Sequence, residues 1–234
     1  MIKILHLALL LGWTEPLLAQ SVIAIGALRD VKHNGRLSGT VQLDTLAARH
    51  VYGLGPVAEL RGEILLWNDT VYVASVREDS VAVAVVPTVR APFLVYVSVP
   101  AWAAVRTIVD TVVTLDQLQQ QVEEQAIAQG KSLERPFPFI VQGRARRITY
   151  HVMNKPAEES QHTPTLHQKA KHSFALNDVT LQLLGFYSRQ HEGVFTHRGS
   201  YIHVHVISED RLRMGHLDQL YALPKTLRVS LPVE

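Results

Sequence analysis

Short runs rich in β-branched residues, each bounded by proline or a turn signal, constrain the fold of this chain more than any other feature. Such residues pack well on a pleated surface, and the prolines confine them to segments of strand length. The clearest case is a predicted hairpin whose two strands flank the turn Asn68-Asp69. The predicted strands of the first half are Glu63–Trp67, Val71–Ala74, Ser80–Val86 and Phe93–Val99.

One segment has helical periodicity instead. Apolar residues recur three and four positions apart between Leu115 and Ala128, which predicts a helix over this range. We expect Asp116 to cap its N-terminus and Gly130 to end it.

The pattern returns to strands after this helix. Phe139–Gln142 and Arg147–Met153 are predicted to pair about Gly143, and the polar stretch 154–171 is predicted to be a loop. The remaining predicted strands are Val179–Tyr187, Ser200–Ile207 and Leu212–Tyr221.

These elements predict an α+β, β-rich fold in which an N-terminal mixed sheet packs with a C-terminal antiparallel sheet. The predicted boundary lies near Gly130. Residues 20–130 would form the N-terminal mixed-sheet domain with one helix, and residues 131–234 the C-terminal antiparallel domain.

Composition excludes several kinds of function. The chain has 234 residues, 47% of them hydrophobic, so it is long enough to bury a real core. A formal net charge of +2 without a basic run argues against nucleic-acid binding, and we interpret Arg144, Arg146 and Arg147 as a solvated strand face. The absence of cysteine excludes disulfides, thiolate catalysis and cysteine-based zinc sites.

Residues 1–19 are typical of a signal peptide. Lys3 provides a positive charge, Ile4–Trp13 is mostly apolar, and Ala19 is the small residue that precedes the predicted cleavage site. The apolar run is too short to span a bilayer. We therefore expect a secreted or periplasmic protein without a membrane span.

Three histidines form the strongest candidate site. In Tyr201-Ile-His-Val-His-Val-Ile207, His203 and His205 are two residues apart and project from one face of a strand. A turn after Ser208 would return the chain antiparallel and bring His216 beside them. A three-histidine set leaves a coordination position open, which is typical of catalytic Zn²⁺ or another divalent metal.

Chance remains an alternative for the histidine pair alone, because the chain contains twelve histidines. A second group, His162, His167 and His172, has a spacing of five that fits neither a helix face nor a strand face. We interpret these three as surface residues.

The segment Ser200-Tyr-Ile-His-Val-His-Val-Ile-Ser-Glu-Asp-Arg-Leu-Arg-Met-Gly-His-Leu-Asp218 resembles the metal-binding segment of bacterial acetolactate decarboxylases. All three histidines have the family's spacing. The supporting segments are Tyr52-Gly-Leu-Gly-Pro-Val-Ala-Glu-Leu-Arg-Gly-Glu-Ile64, Pro136 to Gly143 and Leu184-Gly-Phe-Tyr187. The similarity runs from about Ile25 to the C-terminus.

The resemblance implies a two-domain fold, a homodimer, zinc on His203, His205 and His216, and a catalytic role for Glu63. The implied reaction is loss of CO₂ from the small-molecule substrate 2-acetolactate, or a related 2-hydroxy-3-keto acid, to give acetoin. Such a reaction needs an electrophile for the developing charge and an acid that returns a proton to carbon. Glu63 is the candidate acid.

The chain departs from the family at two positions. Pro56 stands where the family has threonine, and His151 stands where it has a catalytic arginine. We expect His151 to take the place of this arginine in binding the substrate carboxylate. A histidine cannot both bind a carboxylate bidentately and stay charged, so Arg146 or Arg147 is an alternative for that role. Glu234 is the expected counterpart of the family's late glutamate.

Two other functions remain open from the sequence. One is a metalloenzyme of different specificity on the same scaffold, such as a hydrolase, which His151, Pro56 and the signal peptide favour. The other is a non-catalytic metal-binding or ligand-binding module, since metal ligands retained without the arginine would have that pattern.

Overall fold

The computed structural model describes residues 21–46 and 48–233. The predicted signal peptide and the predicted catalytic Glu234 lie outside the described residues, so both stay predictions. Within the described residues, no helix is long and apolar enough to cross a membrane.

The first six-stranded sheet has the order β1-β8-β3-β4-β5-β6. Its strands are β1 (Ile23–Ile25), β3 (Val51–Pro56), β4 (Glu63–Trp67), β5 (Thr70–Arg77), β6 (Ser80–Val85) and β8 (Leu94–Ser98). Every neighbouring pair is antiparallel, so the prediction of a mixed sheet was wrong in this respect. Most neighbours here are joined by connections too short for the crossover that a parallel pair needs.

The predicted hairpin turn is confirmed between β4 and β5. Asn68 and Asp69 have φ values of 46° and 70°. Both residues are therefore left-handed, as a two-residue hairpin turn of type I′ requires.

The second six-stranded sheet has the order β11-β12-β13-β10-β14-β9 and is antiparallel, as predicted. Its strands are β9 (Arg106–Thr107), β10 (Phe137–Met153), β11 (Lys171–Tyr187), β12 (Ile202–Ser208), β13 (Met214–Tyr221) and β14 (Leu227–Ser230). A separate short pair joins β2 (Val41–Gln42) to β7 (Arg90–Ala91).

The chain passes to the second sheet earlier than the predicted boundary near Gly130. β9 pairs with β14, and Val112 bridges to Ala222, so residues before the helix already belong with the second sheet. A two-residue edge strand has too little pattern to be recognised in a sequence.

Gly143 is not a turn between two strands, contrary to the prediction. It lies inside the continuous strand β10, with φ of 145°. A Cβ at this position would collide with the carbonyl oxygen of Thr226, so the glycine permits a close approach between β10 and the residue before β14.

In the part of the chain that the structure describes, three α-helices complete the fold: α1 (Leu28–Asn34), α2 (Leu115–Ala128) and α3 (Pro164–Lys169). The bounds of α2 are confirmed, but Thr114, not Asp116, caps it by accepting a hydrogen bond from the Gln117 backbone N–H. A threonine just outside the helix can reach that N–H, whereas Asp116 lies within the first turn.

Helix α3 occupies part of the predicted loop 154–171. The His162 and His167 rings meet edge to face at 5.4 Å, and both side chains have buried nitrogen atoms. The interpretation of these two residues as surface histidines was therefore wrong, because helix contacts bring them together.

One hydrophobic core contains apolar residues of both sheets, including Leu54 and Leu65 from the first and Leu184, Val204 and Leu217 from the second. The fold class is confirmed as α+β and β-rich, with two sheets that share a core. This packing brings the start of β4 towards the histidine-bearing strands.

Candidate metal centre and active site

The β12–β13 hairpin brings the three predicted histidine ligands together. His205 lies directly opposite His216 in the antiparallel register, and His203, two residues earlier on β12, projects from the same face of the strand. The His203 and His216 rings have centroids 4.8 Å apart, and the His205 centroid lies 5.3 Å and 5.5 Å from them. The predicted return of the chain after Ser208 is therefore what the structure shows.

Neighbouring backbone groups orient these rings. His203 Nδ1 lies 2.8 Å from the Phe195 carbonyl oxygen and donates to it, which leaves Nε2 with a lone pair that faces His216 Nδ1 at 3.1 Å. The residue before His216 is a glycine, and a Cβ at this position would collide with the His151 carbonyl oxygen and the Tyr150 ring of β10.

His197 joins this group, although the sequence analysis did not single it out. The ligand nitrogens of His197, His203 and His216 all lie within 4.8 Å of one another. His197 belongs to the connection between β11 and β12, where no strand or helix period places it near the motif. Its position six residues before His203 was the only signal in the sequence.

His151 reaches the same place from β10. It lies opposite His216 in the strand register, with ring centroids 4.7 Å apart. Its Nδ1 lies 2.8 Å and 3.0 Å from the two carboxylate oxygens of Asp218, so it donates its N–H to that side chain. His151 therefore presents only Nε2 to the other histidines.

Glu63 comes from the other sheet. It begins β4 and is buried, with Oε1 accepting a hydrogen bond of 3.3 Å from the Met153 backbone N–H and Oε2 at 3.6 Å from His205 Nε2. Burial raises the pKa of the Glu63 carboxyl well above its usual value, and the Met153 bond opposes this only in part. Glu63 is therefore a buried acid beside the histidine cluster.

The histidines are held neutral. Burial lowers the pKa of His203 and His216 well below the usual value, that of His205 to about 3 and that of His197 to about 4. Burial also lowers the pKa of His151, although Asp218 opposes this shift. Neutral imidazole is the form that binds a metal ion.

The donor set fits a divalent metal. Two nitrogen ligands of one tetrahedral zinc ion lie about 3.3 Å apart, close to the 3.1 Å that separates His203 Nε2 from His216 Nδ1. The carbonyl that fixes the His203 tautomer is the partner expected behind a metal-bound imidazole. Nitrogen ligands with one nearby carboxylate suit Zn²⁺ better than Mg²⁺ or Ca²⁺.

These groups line one cavity of about 120 Å³. Its wall includes Glu63, His151, Pro56 and the four clustered histidines, together with a basic group formed by Arg29, Lys32, Lys171 and Arg198. The cavity therefore combines neutral ligands, one buried acid and several cations.

Lys171 is the cation of this cavity whose place is set by strand register. It lies opposite Met153, whose N–H binds Glu63, and its charge lowers the pKa of Glu63, His151 and His197. Among residues 21–46 and 48–233, no carboxylate lies within ion-pair distance of Lys171. Its charge is therefore available to an anion in the cavity.

The predicted alternatives Arg146 and Arg147 do not line the cavity. Arg146 is exposed and forms an ion pair of 2.7 Å with Asp178, which also lies 3.8 Å from Arg144. The prediction that this arginine group is a solvated strand face agrees with these positions. It does not supply the missing family arginine.

Comparisons with known proteins agree with this geometry. The family model for alpha-acetolactate decarboxylase matches residues 27–231. No curated protein matches the chain significantly.

Solved structures share the fold. Alpha-acetolactate decarboxylase from Bacillus subtilis strain 168 is 17% identical, with a TM-score of 0.72 over 91% of this chain and 86% of that one. A Staphylococcus aureus protein of unknown function, described as similar to alpha-acetolactate decarboxylase, is 15% identical, with a TM-score of 0.72 over 90% and 84% of the two chains. The enzyme from Bacillus subtilis subspecies spizizenii is 16% identical, with a TM-score of 0.71 over 91% and 87%. With its fold, its histidine hairpin and a family match over nearly its whole length, this chain belongs to the alpha-acetolactate decarboxylase family.

Proposed function

We propose that this protein is a zinc-dependent decarboxylase that converts 2-acetolactate, or a related 2-hydroxy-3-keto acid, to acetoin or its analogue and CO₂. The observation that carries the proposal is Glu63, a buried acid 3.6 Å from a histidine of the candidate metal centre. Family membership and fold support a decarboxylase-like activity.

The histidine cluster would hold the metal in the proposed enzyme. Its members are neutral at ordinary pH, and those on the β12–β13 hairpin are fixed by the strand register. A divalent metal bound there would supply a Lewis acid for the ketone and hydroxyl oxygens of the substrate.

Lys171 would bind the substrate carboxylate in place of the family arginine. His151 is a poor candidate for this role, because its N–H is committed to Asp218 and its pKa is lowered by burial. An ammonium group gives a charge-assisted hydrogen bond to a carboxylate, although without the bidentate geometry of arginine.

Glu63 would supply the proton. When the bond between the carboxylate carbon and the hydroxyl-bearing carbon breaks, CO₂ leaves and the electron pair delocalises onto the neighbouring ketone. Transfer of the Glu63 proton to the hydroxyl-bearing carbon then gives the hydroxyketone, and solvent returns a proton to Glu63. The raised pKa of Glu63 keeps the carboxyl protonated closer to neutral pH, as this role requires.

The test is turnover of racemic 2-acetolactate by the purified, zinc-loaded protein, measured as acetoin and CO₂. Zinc-containing buffer without protein is the control for spontaneous decarboxylation. A folded, zinc-loaded protein no faster than this control would contradict the proposal. Turnover of a different keto acid or an ester by the same sample would then favour the alternative specificity.

Export and a homodimer are further parts of this proposal. A cut after Ala19, seen by mass spectrometry of protein from the culture medium or periplasm, would support export. Light scattering of the purified protein would test the dimer, and a monomeric mass would contradict it.

A further inference from the structure

The connection between β11 and β12 places one more histidine at the metal centre. Residues 188–201 form this connection, and its backbone is held in place by hydrogen bonds. Leu28 and Arg29 of α1 donate to the Val194 and Gly193 carbonyl oxygens, and Gly193 donates to the carbonyl of Thr196. The position of His197 is therefore set by this hydrogen-bonded connection.

The His197 ring is at least as close to His203 and His216 as the ring of His205 is. Its centroid lies 5.2 Å from that of His203 and 4.9 Å from that of His216, whereas the corresponding His205 values are 5.3 Å and 5.5 Å. The rings meet at 66° and 87°, so they do not stack, and the ligand nitrogens of His197, His203 and His216 lie within 4.8 Å of one another.

His197 Nε2 has no partner that would explain its burial. This atom is buried and makes no hydrogen bond within the described part of the chain. Buried polar side-chain atoms are nearly always hydrogen-bonded or coordinate a metal. The ligand nitrogens of His197, His203 and His216 form a group that could hold a metal ion, and the His205 ring adjoins this group without belonging to it.

We propose that His197 is a fourth imidazole ligand of the metal, in addition to His203, His205 and His216. The proposal rests on the proposed function in placing a metal in this cavity. Because four imidazoles fill a tetrahedral shell, the substrate oxygens of that function would have to enter as additional ligands. Four nitrogen donors favour borderline metals such as Zn²⁺, Co²⁺ and Ni²⁺ over Mg²⁺ and Mn²⁺. His197 is then the one ligand of the four that comes from a connection rather than from the β12–β13 hairpin.

The test compares His197→Gln with His167→Gln in the full-length protein. His167 lines the same cavity, but its ring meets that of His162 and not those of the clustered histidines, so it is the matched control. Zinc affinity is measured by competition with a chromophoric chelator, and the coordination shell by the visible spectrum of the Co²⁺-loaded protein. Substitution of a residue that hydrogen-bonds to a metal ligand typically weakens metal binding ~10–100-fold. Loss of a ligand itself, in His197→Gln, is therefore expected to weaken zinc binding ~100-fold or more. His167→Gln should stay within about threefold of the unaltered protein, because it removes no ligand.

A second measurement needs no substitution. X-ray absorption of the unaltered zinc-loaded protein should show four imidazoles in the first shell. Three imidazoles, or His197→Gln with unchanged affinity and cobalt spectrum, would overturn the assignment. If acetolactate is not turned over but four imidazoles are found, the proposed function fails and this proposal stands. If the unaltered protein takes up no zinc, both fail.

Discussion

The β12–β13 hairpin and the start of β4 contribute to one cavity in different ways. The hairpin supplies neutral imidazoles at positions set by antiparallel register, with His205 directly opposite His216. β4 supplies one carboxyl group, Glu63, which reaches the cavity because the two sheets share a core. Burial favours the uncharged form of each group, so it lowers the pKa of the hairpin imidazoles and raises the pKa of the Glu63 carboxyl.

The difference separates binding from chemistry. The hairpin is one continuous segment of a single sheet, so its part of the metal site depends mainly on local pairing. Glu63 depends on the packing between sheets and on the Met153 N–H of β10. Metal binding and proton transfer should therefore respond to different substitutions.

The largest effect is expected from removing the hairpin ligands. His203→Ala combined with His205→Ala should abolish the uptake of about one equivalent of Zn²⁺ per chain and reduce turnover to the spontaneous rate. Inductively coupled plasma mass spectrometry of dialysed protein measures the zinc. His172→Ala is the control, because His172 does not line the cavity. Equal zinc uptake in the double variant would contradict the assignment of the site to the hairpin.

Substitution of the acid should affect chemistry alone. Glu63→Gln should retain zinc and the fold but lower kcat by at least ~100-fold, because a general acid is lost while the shape of the side chain is kept. Steady-state kinetics and zinc content, measured on the same preparation, check this. Full activity in the zinc-loaded variant would show that Glu63 has a structural role only.

A smaller effect is expected from the cation beside Glu63. Lys171→Met should raise KM for acetolactate by about tenfold or more, because a charge-assisted hydrogen bond contributes ~1.5–3 kcal/mol. Lys169→Met is the control, since Lys169 is exposed at the end of α3 and does not line the cavity. An unchanged KM in a folded Lys171→Met protein would show that the carboxylate is bound elsewhere.

The smallest effect is a pair of opposite changes in the pH dependence of stability, measured by urea unfolding of metal-free protein between pH 5 and 6. Burial lowers the pKa of His167 to about 3, so in this range the unfolded state binds more protons and the free energy of unfolding falls as pH falls. His167→Gln should reduce the number of protons taken up on unfolding by up to about one, and so make the slope of the unfolding free energy against pH shallower. The raised pKa of Glu63 means that the folded state binds the extra proton, so the stability it contributes is lost as pH rises. Glu63→Gln removes this opposing effect and should make the increase of the unfolding free energy with pH steeper. Changes of the same sign would contradict the opposite effects of burial on an imidazole, represented here by His167 of α3, and on the Glu63 carboxyl group.

Much of the hairpin could be predicted from the sequence. A period of two puts His203 and His205 on one face, and a short polar turn returns the chain to His216. The Asn68-Asp69 turn and the bounds of α2 also depend on neighbouring residues in the sequence, and both were predicted. The three residues of the hairpin were therefore within reach of pattern and spacing alone.

The remaining members of the site were harder to predict for a physical reason. His197 lies in a connection without periodicity, and the position of Lys171 depends on a hairpin between two strands of seventeen residues each. Glu63 and His151 were named through the family resemblance, and no local rule places either of them beside the histidines. The same limit explains Gly143, which has the signal of a turn but serves a close approach between strands.

The sequence by itself determined helix α2, the Asn68-Asp69 hairpin, the histidine hairpin and the family, because these follow from short-range periodicity and from a motif of fixed spacing. Only the tertiary structure decided that the first sheet is antiparallel throughout, that His151 is paired with Asp218, and that His197 and Lys171 reach the cavity. These features depend on contacts between residues far apart in the chain. Such contacts are fixed by the packing of a shared core, which no local pattern encodes.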